Sequence, residues 1–178
     1  MIGTWRIGTF NGVLLALYFI PTWSAAAFRI MISPVHALYE KAHIGPTLFM
    51  SDHVQVAGSN LVRFAWLFAL AKLTVAIFFG LFLLFATRRS LRLSRGCDEA
   101  LAFALGIGCL VSFSSMLMAS RVGAIHGQHL HATEALMLIC GGVLLLAEPF
   151  FAGAPRVIAA PADHAHAAVP PFGSTASG

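Results

Sequence analysis

Of 178 residues, 58% are hydrophobic and only 10% are charged, with fifteen Phe and a mean hydropathy of +0.83. A water-soluble domain averages about a quarter charged residues, so this chain has to meet lipid over much of its area, which excludes a soluble fold. The net charge of +4 does not describe a nucleic-acid binder either: four of the eleven Lys and Arg crowd one short connection instead of forming a basic stripe, and no nucleic-acid partner is expected.

Four stretches are long enough to cross ~30 Å of hydrocarbon, which takes about 20 helical residues. They predict an all-α membrane protein, with four transmembrane helices in an antiparallel bundle over residues 1–152. The first runs from Phe10 to Ile32, with Pro21 as an expected kink that neighbouring helices can tolerate. Its Ser24-Ala25-Ala26-Ala27 run could instead be a signal-peptide cleavage site, but apolar character continues to Ile32 and only Arg6 precedes it. The second spans Leu61–Thr87, the third Ala100–Ala119 and the fourth Ala135–Phe151. From Gly153 the chain is rich in Ala, Pro, Gly and Ser, carries His164 and His166, and reads as a flexible tail over residues 153–178.

Orientation follows from Arg88, Arg89, Arg92 and Arg95 between the second and third crossings, a density expected on the cytoplasmic side. Both termini are then inside, and residues 33–59 and 120–132 face outward. The location this implies is a bacterial inner membrane.

In the first outer segment, Ser33 suits an N-cap and Pro34 a first helical position, predicting one short amphipathic interfacial helix from Ser33 to Ile44. Such a helix sets His36, Glu40 and His43 on one face. Gly45-Pro46 would end it, and Asp52 and His53 follow just before the second crossing. The other outer segment holds His126, His129, His131 and Glu134 within nine residues. Imidazole and carboxylate ligate transition metals, and Glu40–His43 and His131–Glu134 both have the i,i+3 spacing that places donors one turn apart. These nine residues are the candidate metal set, for Cu, Zn or Fe. No predicted crossing contains histidine, which disfavours a haem or pigment held mid-membrane. That leaves haem only near the outer face, on residues such as His36, His53, His126 or His129.

Lys72 falls near the centre of the second crossing, where a charge costs at least ~2.5–3.5 kcal/mol and ordinarily faces the bundle interior or a wet cavity. Ser112, Ser114 and Ser115 fall at similar depth and could hydrogen-bond it, and no carboxylate is expected there; Lys72 then serves a proton or anion step, a partner subunit's carboxylate, or a plain interhelical polar contact. Cys97, Cys109 and Cys140 show no paired spacing; Cys109 and Cys140 suit small core positions.

No nucleophile–base arrangement, phosphate loop or dinucleotide fingerprint appears, so catalysis by this chain alone is not expected. Three functions fit. The first is a small membrane subunit of a larger electron-transfer complex, contacting lipid and other subunits, with an outer His/carboxylate cluster for metal or haem. The second is a divalent-metal transport or delivery protein, and the third a structural or assembly protein without cofactor.

Overall fold

The computed structural model describes residues 7–40, 43–55, 58–88 and 96–151, and these are helical apart from short connections. In chain order the helices are α1 (Ile7–Ile32), α2 (Pro34–Leu38), α3 (Ile44–Asp52), α4 (Ser59–Thr87), α5 (Gly96–Arg121) and α6 (Ile125–Phe151). Among the described residues, α1, α4, α5 and α6 are long and apolar enough to cross a membrane, as an integral membrane protein in contact with lipid requires. The predicted tail at 153–178, with His164 and His166, lies outside the described residues, as do Arg6, Lys41, Arg89, Arg92 and Arg95.

The first three crossings lie within a few residues of their predicted bounds. The fourth does not: its helix starts at Ile125, ten residues ahead of Ala135. Hydropathy hides these nearly three turns because they are full of histidine, Gln128 and Glu134. The helix forms because its polar side chains follow helical spacing. Gly127, His131, Glu134, Ala135 and Leu138 make one buried stripe, while His126 and His129 point away from it.

The long helices pack α1 on α4, α4 on α5, α5 on α6 and α6 back on α1. Their shared core is built from Phe19 and Trp23 of α1, Val75, Phe79 and Phe82 of α4, Leu101 and Leu105 of α5, and Leu138 of α6. Phe19 stacks on Phe79 at 5.6 Å between centroids and meets Trp23 edge-on at 5.2 Å. A smaller cluster joins Ala27 and Ile30 to Leu38, Ala65, Phe68 and Ala69, which fastens α2 against α1 and α4.

The single helix expected over Ser33–Ile44 is replaced by two short ones. α2 stops at Leu38, and the chain turns through Tyr39 and Glu40 before α3 begins after His43. Ser33 and Pro34 do open α2, although the Ser33 side chain makes no capping bond. Gly45-Pro46 lies in the first turn of α3 instead of ending a helix. Proline is tolerated there because the N–H it lacks would have no intrahelical acceptor. Glycine is needed at 45 for another reason: a Cβ there would sit 2.6 Å from the Ala119 Cβ and 2.7 Å from its Cα. Backbone contact at Gly45 is what lets α3 lie against the end of α5.

Candidate functional site: a charged cluster among the helices

Four elements bring their buried polar side chains to one place. From α1 comes Trp23, from α4 Lys72, from α6 His131 and Glu134, and from the turn before α3 His43; all five are buried. Each of the long-helix residues sits on the inward stripe of its helix, so ordinary apolar packing on either side delivers it to the interior.

Glu134 uses both carboxylate oxygens. Trp23 Nε1 donates to Oε1 at 2.9 Å, and His131 Nδ1 lies 3.0 Å from Oε2. An ionised carboxylate can only accept, so His131 carries its hydrogen on Nδ1. The Lys72 ammonium lies 5.4 Å from the Trp23 ring centroid and 5.0 Å from that of Phe68, within range of a cation–π contact with each. Trp23 thus separates the two opposite charges, offering its N–H to the carboxylate and its ring to the ammonium.

His43 approaches from the α2–α3 turn, its ring edge-on to Phe68 at 5.8 Å. Thr47 Oγ1 lies 2.9 Å from the carbonyl oxygens of both Leu38 and His43 and holds that turn closed. Among the described residues, His43 Nδ1 is buried without a hydrogen-bond partner. Burial first, then the charge of Lys72, push the His43 pKa down to about 3, with Glu134 opposing them, so the ring is neutral near pH 7.

A cavity of about 460 Å³ opens beside the cluster, lined by Tyr18, Trp23, Ala25, Ala26, His43, Lys72, Leu130 and Glu134 among others. Arg29 and Glu40 also border it and form a 3.7 Å ion pair. That pair is largely exposed and contributes little to stability, but it places one charge of each sign at the rim.

The nine residues predicted as metal ligands divide. His131, Glu134 and His43 join the charged cluster, and Glu40 reaches its rim. His36, Asp52, His53, His126 and His129 are exposed, with His53 stacked on Phe49 at 4.9 Å. Among the described residues no three His, Cys, Asp or Glu side chains gather as a metal-binding group. Of the predicted one-face trio, His36 is exposed while His43 is buried, because the chain turns between them.

None of the three serines bonds Lys72 among the described residues. Ser114 and Ser115 donate to the Val111 carbonyl of their own helix at 3.0 and 2.7 Å, and Ser112 is buried with its hydroxyl unpartnered among the described residues. Lys72 has Glu134 as its counter-charge across the cavity, contrary to the expectation that no carboxylate reaches that depth. The same early start of α6 places His131 inside a candidate membrane span, so the absence of histidine from the crossings does not hold. Sequence reasoning also missed Trp23, whose role depends on a partner 111 residues away.

No protein-family model, no curated protein and no solved structure matches this chain.

Proposed function

We propose that this chain is a small integral membrane subunit of a larger electron-transfer complex, and that the Glu134–His131–Lys72 cluster is its proton-handling centre. The observation that carries the reading is Glu134 held by Trp23 and His131 within a candidate membrane span, with a buried lysine across the cavity. Ionisable groups at membrane depth are costly, and where they persist they ordinarily line proton or substrate paths. Carboxylate, imidazole and amine together can accept and release a proton, while nothing in the sequence supplies the nucleophile or phosphate loop of a self-sufficient enzyme. A complex that couples electron transfer to proton movement is where such a subunit belongs.

In this reading the helices form an antiparallel bundle in a bacterial inner membrane. Both termini and the arginine-rich connection lie on the cytoplasmic side, and α2 and α3 lie at the opposite interface. Support comes from the density of Arg88, Arg89, Arg92 and Arg95. Purification of the full chain from its native membrane in mild detergent is expected to yield a multi-subunit assembly with a redox-active component. A monodisperse single chain with no co-purifying protein would overturn the assignment.

A further inference from the structure

The cavity has the size, the balance of charge and the open polar groups of a ligand site. At about 460 Å³ it falls within the range of roughly 300–1,000 Å³ typical of small-molecule pockets. Its charges come in opposed pairs, Lys72 with Glu134 inside and Arg29 with Glu40 at the rim. A free anion or cation would therefore meet a like charge at each level, whereas an uncharged molecule would not. Trp23 and Tyr18 supply aromatic wall, and Ala25 and Ala26 leave room for a planar body. Leu130, Tyr18 and Ala25 are exposed on α6 and α1, so the opening lies on the flank of two candidate membrane spans, with the Arg29–Glu40 pair at its rim.

Two polar groups there await a partner. The Lys72 ammonium contacts two ring faces, and ring faces accept no more than part of what three N–H donors offer. His43 is 5% exposed, lines the cavity and has Nδ1 unpartnered among the described residues. A buried nitrogen left unpaired forfeits the hydrogen bond it had to water, a loss that a ligand hydroxyl removes.

We infer that this cavity binds a lipid-soluble, uncharged ring compound bearing carbonyl or phenolic oxygens, of the quinone/quinol class, through Lys72 and His43 against the Trp23 ring. A carbonyl oxygen accepts from Lys72, and a phenolic hydroxyl donates to the neutral His43 ring. The inference rests on the cluster being the functional centre, and it names what that centre meets.

The test uses the full chain in phospholipid nanodiscs, titrated with decylubiquinone and its quinol, with Trp5→Phe and Trp66→Phe leaving Trp23 as the fluorescent reporter. Saturable quenching is expected. Lys72→Met, or Ala26→Phe to fill the cavity, is expected to weaken it about tenfold, the equivalent of one hydrogen bond to a charged group. His126→Ala, at an exposed residue away from the cavity, is expected to leave it unchanged. Should Ala26→Phe fail to fold by circular dichroism, Thr22→Phe at the exposed rim takes its place. No saturable quenching, or quenching equal in the filled-cavity variant, overturns the proposal. So does dodecanoate binding while the quinone does not. The infrared carbonyl band of Glu134, followed with pH in ligand-free nanodiscs, reports separately on proton handling. A band that responds to pH without quinone binding rejects the ligand alone, and a silent band rejects the proton-handling centre itself.

Discussion

Trp23 holds two charges apart and in register, and the stability of the cluster depends on both. Glu134→Gln would leave the Lys72 ammonium buried with no counter-charge and weaken the bonds from Trp23 and His131. A loss of about 1–3 kcal/mol is expected from the weakened hydrogen bonds to Trp23 and His131, with the uncompensated ammonium adding to it. Replacing Lys72 by Met in the same chain should recover a large part of that loss, because the remaining groups no longer include an unbalanced ammonium. Thermal unfolding in detergent of the two single variants and the double variant measures the coupling; additive losses would show that the charges do not interact. Lys72 was legible in the sequence because a lysine in an apolar run stands out. Glu134 is visible only as half of an i,i+3 pair with His131, in a polar stretch that hydropathy reads as a loop. Nothing local marked Trp23 or the burial of His43, since both depend on chain segments distant in sequence.

At the level of elements, the position of His43 depends on α3 lying against α5, and that contact hinges on Gly45. A Leu there has nowhere to place its Cβ against the Ala119 backbone, so α3 has to lift away while α1, α4 and α6 keep their mutual packing. Hydrogen exchange in Gly45→Leu is expected to rise across residues 44–52 and stay unchanged through the core of α4. Uniform exchange along the chain would argue that α3 is integral to the whole fold and not a docked piece. Three of the long helices were readable from hydropathy alone, because lipid-facing and inward-facing residues are both apolar there. The start of α6 is not, since a window average cannot tell a polar loop from a helix that carries polar residues on its inward stripe. Stripe position would have separated them: His131, Glu134, Ala135 and Leu138 keep helical spacing with the apolar face that follows. The α2–α3 break is hidden because Ser33-Pro34 and Gly45-Pro46 have the pattern of one start and one stop, whereas each opens its own helix.

For the whole molecule, the placement of the termini follows from the proposed arginine-rich cytoplasmic connection. With Cys97, Cys109 and Cys140 replaced by Ala, a single cysteine at Asp52 is expected to react with an impermeant maleimide added to intact cells. One at Thr4 is expected to react only after the membrane is broken. The reverse pattern would invert the orientation and put α3 on the cytoplasmic side. Composition made lipid contact readable at once, because a tenth of charged residues cannot cover a water-facing surface. The assembly of the cluster was not readable at that scale, as it needs the return of α6 to α1.

That return has a consequence for how the chain is made. Trp23 and Lys72 emerge from the ribosome long before Glu134, the residue that hydrogen-bonds one and balances the other. Until α6 is synthesised, Lys72 lacks the carboxylate of Glu134. A chain truncated after Arg121 is therefore expected to lack the partner of Trp23 and the counter-charge of Lys72, and to accumulate less than the longer chain.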